Sequence, residues 1–252
     1  MAPYSKQHWR FTKKSMLNLS YDLHIHSCLS PCGDDDMTPG NIAGMAKVIG
    51  LDVIALTDHN SCKNCPAIVK AAQEYGITVI CGMELCTLEE VHVLCYFPSL
   101  SDALAFDAYV YTQIPDIPNT PALFGNQIIY DENDRICGTE SKLLISASMI
   151  PFDRVYDLAG EYNGIIVPAH IDKTANGLIS NLGLIPSDSK FTCVEVKNID
   201  QWDTLKQQYA YLQGCHVLTS SDAHDFNSLH EPLYHLHPKE HTIPSILQWI
   251  QR

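Results

Sequence analysis

LSYDLHIHS, from Leu19 to Ser27, reads as a strand that ends in a chelate. Side chains alternate across a strand, so His24 and His26 share one face and Ile25 takes the other. Two imidazoles at that spacing suit a divalent ion. Downstream, Thr38-Pro39 has the signature of a helix start, with Thr38 as N-cap and Pro39 in the first turn. That helix runs to about Ile49 and is closed by Gly50. Asp52–Leu56 (DVIAL) is a buried-strand run. A helix follows from about Pro66 to Tyr75, ended by Gly76, and strands then begin at Ile77–Ile80 and at Val91–Phe97. Strands separated by single helices indicate βαβ units, hence an α/β fold with a mainly parallel sheet.

The middle breaks this rhythm. Leu100–Thr112 has a helical pattern, Ile114–Pro121 is a proline-punctuated loop, and Asn126–Cys137 reads as a β-hairpin turning at Glu132-Asn133-Asp134. The segment of about 100–150 is expected to be an insert or lid. Alternation resumes with a helix at Pro151–Tyr162, strands at Gly164–Pro168 and Thr192–Val196, a helix near Asp203–Gln213 and a strand at His216–Thr219. An amphipathic helix, Ile243–Ile250, follows. With no internal repeat or linker, the reading is one domain over 1–252, of which 1–18 forms an N-terminal extension.

Composition narrows the function. The 252 residues are 46% hydrophobic and 18% charged, as in globular proteins, and carry a formal charge of −13. Such an excess of acid argues against long nucleic acid as a partner, since that needs a basic face. A phosphorylated small molecule stays compatible, because bound cations invert the field of an acidic pocket. No apolar run approaches the ~20 residues that span a bilayer. The segment Met1–Ser20, with Lys6, Arg10, Lys13 and Lys14, lacks the apolar core of a secretory signal. A cytoplasmic protein with no membrane partner is expected. Several of the ten cysteines, including Cys81, Cys95, Cys193 and Cys215, lie in or beside apolar strand-like runs and read as reduced thiols.

Six of the twelve histidines fall in or just after strands: His24 and His26, His59 (LTDHN), His92 (EVHVL), His170 (PAHID) and His224 (SSDAH). Asp22, Asp58, Glu84 (GMELC) and Asp222 stand at equivalent places. In parallel α/β folds that edge of the sheet gathers ligands and catalytic groups. Any one of these residues could be a structural hydrogen-bonder or a helix cap; the whole series at strand exits points to a metal site. Imidazole with carboxylate favours zinc, manganese or iron. A later cluster, His230, His235, His237 and His241, lies outside the series and reads as surface or loop. Cys28, Cys32, Cys62 and Cys65 have CxxxC and CxxC spacing. They read as free thiols or helix-capping neighbours, with a four-thiolate zinc or iron–sulfur site as the alternative.

DLHIHS, LTDHN, GMEL, PAH and SSDAH, in that order, resemble the polymerase and histidinol phosphatase (PHP) domain family, over about Leu19 to Leu236. The resemblance implies a distorted (β/α)7 barrel, here with an inserted β-hairpin segment. It also implies a phosphoesterase that uses two or three divalent metal ions (Zn, Mn or Fe). Carried over residue by residue, it implies a first metal on His24, His26, Glu84 and Asp222. Glu84 then bridges to a second, held also by His92 and His170, and a third is held by His59, His224 and a residue of the loop after the first strand. That loop, SCLSPCGDDDMTP, is longer than the family's short turn. Counting back from Thr38-Pro39 gives Asp34, with Asp35 and Asp36 as rivals.

The expected reaction is hydrolysis of a small phosphomonoester or nucleotide by metal-activated water, with Asp222, His170 and Glu84 as the catalytic core. Asp172 or Asp58 could orient ligands from behind, and Lys173, Lys197 and Arg135 are candidate phosphate contacts. The alternatives are an exonuclease on short oligonucleotides, a histidinol-phosphate phosphatase, or a non-catalytic metal-binding regulatory module.

Overall fold

Thr38 caps the first helix as its sequence requires: its side chain accepts from the Asn41 N–H, and Gly50 ends the helix in the left-handed region at φ 86°. The computed structural model describes residues 17–229 and 231–252. The expectations for the N-terminal segment up to residue 16, and for His230, lie outside the described residues.

In chain order the elements are β1 (Leu19–Ile25), α1 (Pro39–Ile49), β2 (Val53–Leu56), α2 (Cys65–Tyr75), β3 (Thr78–Cys86), β4 (His92–Phe97), α3 (Leu100–Gln113), α4 (Pro121–Phe124) and the hairpin β5 (Ile128–Tyr130) and β6 (Ile136–Thr139). Then follow α5 (Phe152–Glu161), β7 (Ile165–Pro168), α6 (Leu178–Leu182), β8 (Cys193–Glu195), α7 (Trp202–Gln208), β9 (His216–Leu218), β10 (His235–Leu236) and α8 (Ile243–Ile250). Six strands in the order β10-β1-β2-β3-β4-β7 curl into a half-barrel, while β8 and β9 form a separate parallel pair.

Two expectations change. The sheet is mixed: β1, β2 and β3 are parallel, but β4 runs antiparallel to both β3 and β7. Only Thr87–Val91 separates β3 from β4, too short for the helical crossover that a parallel strand needs. The HLH cluster is not a loop. His235 and Leu236 form an edge strand antiparallel to β1, and the His237 ring bonds the Leu17 carbonyl. Leu236 is fully buried there, and burying one such side chain stabilises by roughly 1.5–3 kcal/mol.

Each face of the sheet has its own core. Ile54 and Leu56 of β2, Val79, Cys81 and Met83 of β3, and Val93 and Cys95 of β4 pack with α1, α2, α3 and α5. Val53 and Ala55, Ile80, Leu94 and Tyr96, and Ile165 and Val167 pack instead with Ile246, Leu247 and Ile250 of α8. Strand parity then places Glu84 on the face of Ile80, and His92 on the face of Leu94 and Tyr96. In β1, Leu19, Tyr21 and Leu23 belong to the α8 side but Ile25 to the other, and the pairing register with β2 shifts between Asp22 and Ile25. Such an irregularity re-aims side chains. It turns His24 and His26 toward the face that carries Glu84 and His92.

Of segment 100–150, α3 buries Ala103, Phe106 and Val110 in the main core. The hairpin lies against the loop after β1, where the Ile128 N–H donates to the Cys28 carbonyl and the Tyr130 N–H to Asn64 Oδ1.

Candidate metal centre

Four donors converge where β1 and β3 meet the turn after β9. His24 Nε2 lies 3.1 Å from His26 Nε2, 3.3 Å from Glu84 Oε1 and 3.3 Å from Asp222 Oδ1. His26 Nε2 lies 3.4 Å from Glu84 Oε2 and 3.5 Å from Asp222 Oδ1. Ligands held tetrahedrally at 2.0–2.1 Å from a zinc-sized cation are about 3.3 Å apart, so these separations match the edges of such a site. The two facing imidazole nitrogens can share at most one proton. A cation satisfies all four donors at once.

Two further donor groups adjoin the first. His59, Glu84 and His92 form one, and His26, His59 and His224 the other. His92 Nδ1 and His170 Nε2 stand 2.9 and 3.0 Å from Glu84 Oε1. His59 Nδ1 is 3.0 Å from Glu84 Oε2, yet both atoms are buried and neither makes a hydrogen bond. A lone pair facing a lone pair at that distance is costly unless a proton or a metal cation lies between them. The donor set therefore fits divalent metal, with Glu84 central to it.

The electrostatics are those of a crowded anionic pocket. Burial opposes ionisation of Glu84 and Asp222, but the surrounding imidazoles (His92 and His24 for the first, His24 and His26 for the second) hold both carboxyls well below the usual range. Burial likewise disfavours charge on His24; Glu195, Asp222 and Glu84 overcome it and raise its pKa. His26 is lowered by burial and by its neighbours His224 and His59. Cys32 is exposed as a residue. Partial desolvation pushes its thiol up, and the influence of the His224 and His59 imidazoles brings it down to about 6.

Behind the donors stand residues that aim them. Glu195 Oε2 receives His24 Nδ1 at 2.9 Å and the His170 backbone N–H at 3.1 Å, fixing which nitrogen of His24 faces the pocket. Sequence reasoning passed over Glu195; its signal was a carboxylate at the end of an otherwise apolar strand. His26 Nδ1 meets Ser30 Oγ, which donates to Asp58 Oδ1, and Asp58 also accepts from the Ser27 N–H and hydroxyl. Asp172 accepts instead from the backbone N–H groups of Lys197 and Asn198. His170 and Asp222 adopt φ of 29° and 55°, a region costing non-glycine residues on the order of 1–3 kcal/mol, which the surrounding contacts must offset.

The remaining expected residues are more dispersed. Lys173 Nζ donates to Asp222 Oδ2 at 2.9 Å, at the rim of the pocket. Lys197 Nζ is bound to the Ser221 carbonyl, and Arg135 is exposed in the hairpin. Asp34, Asp35 and Asp36 are all exposed and none belongs to the three donor groups. The cysteines of the two loops do not gather: the Cys62 and Cys65 thiols face the Gly82 carbonyl, and that of Cys28 faces Ile128.

The PHP domain pattern matches residues 22–164, more than half of the chain. The chain belongs to the PHP-domain family. More particular likenesses are partial. An uncharacterized protein of Methanocaldococcus jannaschii is 37% identical over 76 residues, covering 27% of this chain and 44% of that protein. A 5'-3' exoribonuclease of Haemophilus influenzae is 37% identical over 67 residues, covering 27% of this chain and 23% of that protein. Both matches thus span less than half of the relative.

Among solved structures, the lesion-specific endonuclease PfuEndoQ of Pyrococcus furiosus aligns with a TM-score of 0.64 and 20% identity, over 93% of this chain and 56% of that one. An endonuclease Q complex with a 27-mer duplex aligns at 0.56 and 21%, over 84% and 50%. A protein of Bifidobacterium adolescentis, assigned to the metal-dependent phosphoesterases, aligns at 0.53 and 17%, over 93% and 98%. At these identities the likeness is one of fold.

Proposed function

We propose that this chain hydrolyses a small phosphomonoester or nucleotide at a centre of two or three divalent ions (zinc, manganese or iron) held by His24, His26, His59, Glu84, His92, His170, Asp222 and His224. The observation that carries the reading is the set of 3.1–3.5 Å separations among His24, His26, Glu84 and Asp222, with Glu84 shared by a second group. Divalent ions held there would supply Lewis acidity to the phosphoryl group and acidify the attacking water.

The chain's own part is orientation and charge. Glu195 locks the His24 ring, and the Ser30–Asp58 pair locks that of His26. Lys173, already at the rim, is placed to exchange its bond with Asp222 for one to a phosphoryl oxygen. The formal charge of −13 favours a small substrate whose phosphate is drawn by metal over a long polyanion drawn by a basic groove.

The exoribonuclease match and the endonuclease fold are in tension with excluding nucleic acid, and they favour a second reading: cleavage of short oligonucleotides. Metal-loaded protein assayed on a panel of sugar phosphates, nucleotides, histidinol phosphate and a labelled 5-mer separates these readings. Turnover of nucleotides or small monoesters is expected, and turnover of none of the panel refutes the proposal. Asp222→Ala tests the regulatory-module alternative. It abolishes turnover in an enzyme, whereas a scaffold would show no turnover to lose.

A further inference from the structure

Asn64 stands at the N-cap of α2, where an asparagine side chain ordinarily accepts from the first turn of its own helix. Here it makes no such bond. The amide is fully buried and engaged elsewhere. The Tyr130 N–H donates to its Oδ1 at 2.9 Å, while Nδ2 donates to the Ile128 carbonyl at 3.1 Å and to Ser27 Oγ at 2.9 Å. Tyr130 and Ile128 belong to β5 of the inserted hairpin. A backbone N–H only donates and a backbone carbonyl only accepts, so β5 fixes which end of the amide is which.

From there each proton has one place to go. Ser27 Oγ accepts from Asn64 and, at 3.2 Å, from the Leu29 N–H, so its own hydrogen goes to Asp58 Oδ2 at 2.7 Å. A carboxylate only accepts, which commits the Ser30 hydrogen to Asp58 Oδ1 at 2.8 Å. Ser30 Oγ is then left to accept, from the His59 N–H at 3.1 Å and from His26 Nδ1 at 2.9 Å. Ser27, Ser30, Asp58 and His26 are all buried with Asn64, so solvent cannot replace any link.

We infer that Asn64 is a positioning residue for the metal centre: through Ser27, Asp58 and Ser30 it holds His26 as the Nδ1–H tautomer. This inference rests on the metal-centre reading above. The tautomer leaves His26 Nε2 bare where it lies 3.4 Å from Glu84 Oε2 and 3.5 Å from Asp222 Oδ1. An imidazole takes a cation only through an unprotonated nitrogen, so the relay makes that nitrogen available before metal arrives. The hairpin contributes no residue to the donor groups, yet its backbone sets the state of one of their ligands.

The test reads the His26 ring proton by long-range proton–nitrogen correlation spectra of the metal-free full chain, and zinc affinity by chelator competition. Wild type should carry the proton on Nδ1. Asn64→Ala and Ser27→Ala should each raise the Nε2–H population and weaken zinc binding roughly tenfold, the low end of what losing a ligand's outer partner costs. Because both break one relay, Asn64→Ala/Ser27→Ala should also stay near tenfold, whereas two independent losses would multiply to roughly a hundredfold. A wild-type ring protonated on Nε2 overturns the relay while leaving metal binding intact. So do multiplicative losses, or single variants with an unchanged ring and an affinity within threefold of wild type. Wild-type protein that takes up no zinc overturns the metal-centre reading instead, and the ring proton then decides the relay alone.

Discussion

Glu195→Ala removes a side chain that touches no substrate-facing surface, so its effect isolates the value of aiming a ligand. Glu195 is 2% exposed and receives both His24 Nδ1 and the His170 N–H on one oxygen. Loss of such an outer partner costs roughly 10–100-fold in metal affinity, since the imidazole can then rotate or take the wrong tautomer. At about 1.4 kcal/mol per tenfold, this is about 1.4–2.8 kcal/mol of binding.

Glu195→Gln divides the effect. Its carbonyl oxygen can keep both hydrogen bonds without the charge. Its amide would occupy the place of Oε1, a buried atom with no hydrogen bond, and would strand an N–H at a stability cost of about 1–3 kcal/mol. Chelator competition followed by thermal unfolding of the metal-free proteins measures both quantities. Gln should keep most of the metal affinity and lose stability; Ala should lose affinity. An Ala variant that folds and binds metal within threefold of wild type would refute the reasoning.

Below pH 6.5, metal-free protein should become steadily less stable as pH falls. His26 and His92 are lowered mainly by burial, and Glu84 and Asp222 are held low by the histidines, so all four lose their contribution as they protonate. The raised His24 and His59 contribute fully throughout that range, and Asp58 and Asp107, raised by burial, oppose the trend from the minority side. A melting temperature at pH 4 equal to that at pH 6.5 would contradict this. Gly125→Ala, at φ 97° and against Pro31, should lower the melting temperature, with about 2–4 °C lost per kcal/mol, while Gly138→Ala, which meets nothing within 4 Å, serves as the silent control. Thr38→Ala should cost about 1 kcal/mol by removing the cap on Asn41, read as a shift in denaturant midpoint.

Much of the fold could be read from the chain. Pro39, Gly50 and Gly76 mark helix ends because each has a backbone preference that only one kind of position satisfies. Strand direction could not be read. Alternation says which face a residue takes but nothing about the sense of the strand, and β4 turned back on a five-residue turn. The two-residue strand β10 and the five-residue helix α6 are too short to carry a period. The histidines and Glu84 were visible because several strand exits repeated the same chemistry. Glu195 stood alone in its motif, and a loop count can place Asp34 in sequence without saying which way its side chain turns.

Glu195 lies on β8 and Asp222 in the turn after β9, a pair of strands laddered separately from the half-barrel and tied to it by an isolated bridge between Ile25 and Ala223. His24, His26, Glu84 and His92 come from the large sheet. Cations at the shared centre would rivet two separately laddered units, so occupancy should be felt in amides far from any ligand. Deuterium uptake in β8 and β9 would rise on chelation well before β2 or β3 loosened. The catalytic centre would then double as the fastener of its own enclosure.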